Sequence, residues 1–426
     1  MDNIDTYNKK DFALKFLIII LLCFAFFKFF YRTAQIGIAG LRAYEYFDFQ
    51  QLLFPAYLIR KGIDYTDNDK QKLFLGDASY ITRPPYKDEG FFLHKFPVLY
   101  SIMIPLTFLP YKIGSTLWLC IQLILIFVSA IWLINFLNLK DPIALTIAIL
   151  IFTNYNSILR VFELGHFDTI ILLCFIAILY FAYYKRDILA GIFLGINFLF
   201  LLTPLIFIVY FILRRRFLIV ITSFVTIIIL ILLPLLYLPS ETIVNQFKML
   251  YNHIGSFGFS SWWGNHSFGS FIARLVSDRP FPNVILQTTQ RMLGVIQTLF
   301  SAFIVFIIAF ICIKRKEQDI KLEFGLTITG MLLISHFVTE LHFLFLLIPY
   351  LVLLPYILEK RSKYLAVFYV ISLMLLGMEY TGQGIDIIMY GPLSLIYGSK
   401  LYGIILLYGI LVQHSSSRFI YKNFEP

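Results

Sequence analysis

The stretch "LAGIFLGINFLFLLTPLIFIVYFIL", residues 189–213, decides the fold class. It contains no charged residue, and basic residues stand at both ends: Lys185 and Arg186 before it, Arg214, Arg215 and Arg216 after it. A helical crossing of a membrane takes about 20 apolar residues, so this stretch is long enough for one crossing and too short for two. A single crossing puts the two basic clusters on opposite faces, against the bias that keeps Lys and Arg cytoplasmic. Thr203-Pro204 resolves the conflict. Proline ends a helix, and broken backbone is tolerated at membrane depth where protein surrounds it. We therefore read 188–213 as a broken, re-entrant helix pair with both ends on the cytoplasmic face.

The rest of the chain agrees with a membrane setting. Of 426 residues, 59% are hydrophobic and 14% charged, with a mean hydropathy of +0.81. Soluble domains run at about 45–50% apolar and about 25% charged. The net charge of +10 is not gathered on one module but punctuates apolar runs, so it speaks for membrane topology and not for nucleic acid. Cys23, Cys120, Cys174 and Cys312 all lie inside apolar runs, which implies neither a disulfide framework nor a metal site.

Working outward, residues 12–31 follow Lys9 and Lys10, and no small-residue cleavage site succeeds them; they read as a retained first transmembrane helix with a cytoplasmic N-terminus. That delivers residues 32–97, rich in Tyr, to the outer face as a first long loop. "FPVLYSIMIPLTFLP" (96–110) is Pro-broken and reads as re-entrant or interfacial. Further apolar segments follow near 113–136, 142–155 and 168–184; after Arg216 another leads out to a second long loop, 239–288. The segments from 291 onward return through "EKRSK" (359–363), and a final pair ends in a cytoplasmic tail, 414–426. Basic clusters that cap spans then share one side. The expected fold is an all-α polytopic integral membrane protein forming a single membrane domain.

The outer face collects the groups with chemistry. Asp48 stands in "YFDFQQLLFPAYLIRKGIDY" (46–65), on one helical face with Glu45. A carboxylate among aromatic and apolar neighbours gains proton affinity and suits a general base toward a hydroxyl; a helix N-cap or interface anchor is the alternative. Arg83, Lys87, His94, Lys95, Arg160, Lys248, Arg274, Arg279 and Arg291 are the outer basic residues. They suit phosphate partners or simple headgroup contact by snorkelling side chains, and Arg160 and Arg274 stand out because apolar text surrounds them. His342, with Glu340 and His336, sits at a membrane turn, where ionisable groups are costly; a satisfied buried histidine is the alternative. "GNHSF" (264–268) beside Trp262 and Trp263 suits a sugar ring or an interfacial aromatic belt. The spacing from His336 to His342 gives no helical metal pair, and no Walker loop, dinucleotide fingerprint or nucleophile elbow occurs in a fitting context.

Taken in order, these pieces resemble glycosyltransferase family 87 of the GT-C superfamily. "DFQQLLFPAYLIRKGIDY" (48–65) resembles that family's D-F-x-x-Y-Y signature, and "KFPVLYSIMIPLTFLPYKIGSTLW" (95–118) its Pro-rich stretch. "LGHFDTIILL" (164–173) stands at its G-Q-x-N/D, "NHSFGSFIARL" (265–275) at N-Q-S, and "ISHFVTELHFLFLLIP" (334–349) at its H-H motif. His166 and His266 stand where the motifs have Gln, and Leu341 where they have the first His. The resemblance implies a GT-C-type bundle of roughly 11–13 transmembrane or half-spanning helices with extracytoplasmic loops.

It further implies transfer of a hexose, mannose-like, from a polyprenyl-phosphate donor to a lipid or glycan acceptor outside the cytoplasm, with inversion. By matching position Asp48 is the base, and His342 lies near the donor phosphate. Asn265, Ser267 and Arg274 match the outer-loop motif; His266, Arg160, His166 and Glu340 complete the candidate substrate-binding set. No cofactor is indicated, and a divalent metal has no support. The alternatives are a lipid or sugar transporter (a flippase), to which broken helices also belong, and an inactive envelope-assembly scaffold.

Overall fold

Local chemistry sets where helices begin and break. Asp141 accepts hydrogen bonds from the backbone of Ile143 and Ala144 at 3.0 and 2.9 Å, with Pro142 as the first helical residue. Asn138 ends the preceding helix in a left-handed conformation at φ 55°, which asparagine tolerates better than most residues. Leu201 turns extended at φ −148° and Pro204 opens the next helix, so the predicted break falls at 201–204.

The computed structural model describes residues 2–43, 47–67, 69, 95–256, 264–276, 287–314, 319–360, 362–378 and 393–422. Tyr44, Glu45, Arg83, Lys87, His94, Trp262, Trp263, Arg279 and residues 379–392 lie outside them. In chain order the helices are α1 (Asp2–Ala43), α2 (Phe47–Arg60), α3 (Pro97–Ile102), α4 (Tyr111–Leu137), α5 (Pro142–Asn154) and α6 (Asn156–Leu164). Next come α7 (Asp168–Tyr183), α8 (Asp187–Phe200), α9 (Leu205–Leu213), α10 (Phe217–Leu232), α11 (Ser240–Ser256) and α12 (Phe268–Leu275). The series ends with α13 (Gln287–Lys314), α14 (Ile320–Ile334), α15 (Leu347–Lys360), α16 (Lys363–Gly377), α17 (Ser394–Tyr397) and α18 (Ser399–Lys422). Short 3-10 turns at Ile104–Phe108, Leu233–Leu236 and Glu340–Leu346 join them.

The protein is an all-α, multi-pass membrane protein. Among the described residues six helices are long and apolar enough to cross a bilayer, and no strand is present. Side chains such as Phe24, Phe27, Phe217, Ile221, Ile228, Phe303 and Phe306 are exposed, as lipid-facing surfaces require. α8 and α9 have 14 and 9 residues. At 1.5 Å rise they reach about 21 and about 14 Å, so neither crosses about 30 Å of hydrocarbon alone.

α8 lies hard against α10 through Gly191 and Gly195, a spacing that lets helix backbones approach closely. A Cβ added at Gly191 meets the Ile219 carbonyl oxygen at 2.5 Å; one at Gly195 meets that of Ser223 at 2.7 Å. At one end of the bundle the turns between helices carry basic residues, among them Lys185, Arg186, Arg214, Arg215 and Arg216. There Arg214 makes a two-pronged ion pair with Glu323, its Nε donating to Oε2 at 2.8 Å, and the Tyr210 hydroxyl donates to the same oxygen at 3.2 Å. Arg216 pairs with Asp187, and Lys321 lies over Phe136 and Tyr183 at 4.8 and 4.9 Å.

Two hydropathy boundaries move. α1 continues past residue 31 to Ala43, because Thr33 and Ile36 extend the buried stripe of Ala25 and Phe29 against the bundle. α18 continues past 414 to Lys422, and His414 is buried with its ring 6.0 Å from Tyr356, so the tail begins as packed helix.

Candidate active site

The first turn of α2 carries Asp48, and the next residue explains its placement. Phe49 is fully buried, stacked 6.1 Å from Trp118 and tilted against Tyr111 at 5.9 Å, both on α4. Gln50 donates to the Tyr111 hydroxyl at 3.3 Å. At the other end of α2, Arg60 donates to the Thr107 carbonyl at 2.6 Å and lies over Phe108 at 4.7 Å. α2 is therefore clamped to the start of α4, with Asp48 half-buried at its rim.

Trp118 also holds the second piece. Its indole N–H donates to the Gly165 carbonyl at 2.8 Å, and its edge meets Phe167 at 5.7 Å. Gly165 sits at φ +70°, a left-handed corner that reverses the chain between α6 and α7. Gln122, one turn further along α4, donates to the His166 carbonyl. The His166 side chain then bonds through Nδ1 to Oδ2 of Asp168, a fully buried carboxylate at the start of α7. One α4 face thus sets α2 and the His166 turn against each other.

Asp48 feels His166, Lys95, Asp168 and Arg160, and His342 feels Asp168, His166 and Lys95, so these six groups share one electrostatic neighbourhood. Burial pushes the Asp48 carboxyl above the usual carboxylate range, and Asp168 adds to that, against the opposing pull of His166, Lys95 and Arg160. Burial likewise pushes the Lys95 ammonium below its usual range, opposed by Asp168 and Asp48. Lys95 is anchored by its backbone: its N–H donates to the Tyr100 hydroxyl at 3.3 Å, and its carbonyl accepts from Gln246 at 3.0 Å. Asp48 and Lys95 keep accessible surface while protein surrounds them, as groups lining a crevice do.

His342 occupies the third position of the 3-10 turn, where the Thr339 backbone N–H donates to its Nδ1 at 3.0 Å. In the neutral ring the proton therefore sits on Nε2, which makes that edge a donor. Two residues earlier, the Glu340 carboxylate pairs with Lys400, with Arg160 Nε and His266 Nε2 each 3.9 Å away. Arg160 also binds Glu163 at 2.8 Å. Burial, then Lys400 and Arg274, hold His266 well below the usual histidine range; its ring lies between Phe343 at 5.6 Å and Tyr397 at 5.9 Å.

Asn265 is a brace between two turns. Its Nδ2 donates to the His336 carbonyl at 3.0 Å, while Oδ1 accepts from the Ser267 and Val338 backbones at 3.1 and 3.0 Å. Ser267 caps α12 by accepting from Ser270 N at 3.2 Å. Arg274, buried, donates to the Asn265 carbonyl at 2.6 Å and to Ser270 Oγ at 3.0 Å, and lies 5.4 Å over Tyr397.

The family model for glycosyltransferase family 87 matches residues 97–336, more than half of the chain. The chain belongs to glycosyltransferase family 87. No curated protein matches it. As a family 87 member it is a multi-pass membrane glycosyltransferase, a transferase that takes a sugar donor and an acceptor. The matched region holds Arg160, His166, Asn265, His266, Ser267 and Arg274; Asp48, Glu340 and His342 flank it.

The family 87 chain thus sets Asp48, His166 and His342 in one electrostatic neighbourhood and gathers Arg160, His266 and Lys400 about Glu340, while Asn265, Ser267 and Arg274 brace the turn that bears His266. Sequence reading singled out neither Asp168 nor Lys400, and took Lys95 only as one outer cation among several. The signal for Asp168 was present: a polar pair two residues apart, "HFD", opening an otherwise apolar helix.

Proposed function

We propose that this family 87 enzyme moves a mannose-like hexose from a polyprenyl-phosphate donor to a lipid or glycan acceptor at the extracytoplasmic face, with inversion. Asp48 removes the proton from the acceptor hydroxyl as that oxygen attacks the anomeric carbon. The bond from that carbon to the phosphate oxygen breaks, and its electron pair leaves with the lipid phosphate. His342, through Nε2–H, and Arg160 offset the growing phosphate charge, with Lys95 and Lys400 adding positive potential. Arg274 acts from beneath by fixing the turn that carries His266.

The observation that carries this reading is the convergence of Asp48 with His166, Lys95 and His342 around one crevice. Orientation is supported by the opposite end, where Lys185, Arg186, Arg215 and Lys314 lie in or beside the turns between helices, as the cytoplasmic bias of basic residues asks. On this reading both termini lie in the cytoplasm and the crevice outside.

The test is transfer from polyprenyl-phosphate mannose by the purified full chain. Asp48→Asn removes the base and should lower kcat by roughly 100- to 10,000-fold. Undiminished transfer would refute the assignment. Labelling of Asp69→Cys in intact cells, with Lys140→Cys protected until permeabilisation, checks the orientation.

A further inference from the structure

Inverting transfer leaves a proton on Asp48, and the carboxylate must lose it before the next turnover. The neighbouring His166–Asp168 pair has the form of a unit that accepts such a proton. Asp168 is completely buried at the start of α7, and its Oδ2 is committed to His166 Nδ1. The turn bearing the histidine is fixed by the Trp118 indole at Gly165 and by the Gln122 amide at the His166 carbonyl. With Nδ1 held by a carboxylate, the neutral ring carries its proton on Nδ1 and leaves the Nε2 lone pair open. This is the reverse of His342, where a backbone N–H donates to Nδ1 and puts the proton on Nε2. The crevice therefore holds two histidines of opposite polarity, one poised to accept and one to donate.

Two further observations bear on the pair. Oδ1 of Asp168 and Oε1 of Gln122 are both buried with no hydrogen-bond partner. The helix of Asp48 and the turn of His166 meet on one side chain, because Trp118 stacks on Phe49 and donates to the Gly165 carbonyl. Among the described residues, Asp48 on α2, Asp168 on α7 and His342 on the 3-10 turn interact with His166; Lys95 ahead of α3 acts on all three of them, and Arg160 on α6 acts on Asp48.

We propose that His166, oriented by the buried Asp168, is the second proton carrier of the reaction: it receives at Nε2 the proton that Asp48 takes from the acceptor hydroxyl. The inference rests on the Asp48 base of the proposed function. The acceptor O–H bond breaks and its electron pair forms the bond to the anomeric carbon. The pair of the broken glycosidic bond stays on the phosphate oxygen, and the proton goes to Asp48. Asp48 then passes that proton to His166, which becomes an imidazolium compensated by Asp168. The ring finally yields the proton to the departing phosphate monoester, whose dianion accepts it. Nothing is oxidised or reduced, and no co-reactant is consumed. Asp168 acts through His166 and is a positioning residue.

Three measurements on the full chain in lipid nanodiscs test this. Nitrogen NMR of labelled histidines, with His166→Gln assigning the signal, should show neutral His166 protonated at Nδ1 in the wild type and a redistributed tautomer in Asp168→Asn. A wild-type ring protonated at Nε2 overturns the proposal whatever donor the enzyme uses. In transfer from polyprenyl-phosphate mannose, His166→Gln should lower kcat roughly 100-fold with the donor KM unchanged. Added imidazole should restore His166→Gly at least about tenfold and leave Asp48→Asn inactive. A His166→Gln enzyme with wild-type kcat and pH profile, alongside an inactive Asp48→Asn, sinks the proton carrier and spares the base. An active Asp48→Asn sinks the base itself.

Discussion

The three consecutive arginines after α9 serve more than topology, and the most exacting prediction concerns the first of them. Arg214 and Glu323 keep only 6% and 1% of their side chains exposed, and the guanidinium meets the carboxylate through two nitrogens while Tyr210 adds a third donor. Removing one partner of such a buried pair leaves an uncompensated charge and typically costs about 3–5 kcal/mol. Glu323→Leu should therefore destabilise the protein by about that amount. Arg214→Met with Glu323→Leu removes both charges and substitutes apolar volume, which in buried pairs is often neutral or stabilising by about 1–4 kcal/mol. The double variant should accordingly recover most of what the single one loses. Reversible unfolding in mixed micelles, followed for the wild type, both single variants and the double variant, closes the cycle. A Glu323→Leu protein within about 1 kcal/mol of the wild type would show that this pair behaves like an exposed one. A double variant as weak as the single would show that the loss lies in packing and not in charge.

On the proposed mechanism Asp48 must be ionised to take the acceptor proton, and burial raises its proton affinity, so transfer should fall with falling pH along an acid limb lying above the usual carboxylate range; a pH profile of kcat checks this. Lys95 opposes that rise, so Lys95→Met should move the same limb to higher pH, and an unmoved limb would separate Lys95 from the site. Gly195→Ala drives a methyl to 2.7 Å from the Ser223 carbonyl and should cost about 1–3 kcal/mol as overpacking, read from thermal unfolding. Trp118→Phe keeps a ring against Phe49 but strips the donor from the buried Gly165 carbonyl. It should cost about 1–3 kcal/mol in unfolding and loosen donor binding, read as a raised KM.

Much of the fold was readable because membrane constraints act locally. An apolar run with basic flanks and a Thr-Pro in its middle contains all that is needed for the break seen at 201–204. The site was harder. Asp48 stands out as an acid beside aromatics, but His166, which shares its electrostatic neighbourhood, lies more than a hundred positions away in the chain, and contacts to Trp118 from Phe49 and Gly165 bring the two segments together. Asn265, Ser267 and Arg274 enter the candidate site through their match to the family's outer-loop motif, and Arg274 also through the apolar text around it. The same residue types satisfy backbone groups where turns are buried, and each has that occupation here. Lys400 opens a helix far beyond the matched motifs, and nothing local marks its pairing with Glu340. The polar letters of 32–43 hide a helical stripe set by Thr33 and Ile36, along which α1 runs on to Ala43.

One indole carries the helix of Asp48 through Phe49 on its ring face and the histidine turn through its N–H. A tilt or slide of α4, as lipid composition changes the thickness of the surrounding bilayer, would therefore carry both together.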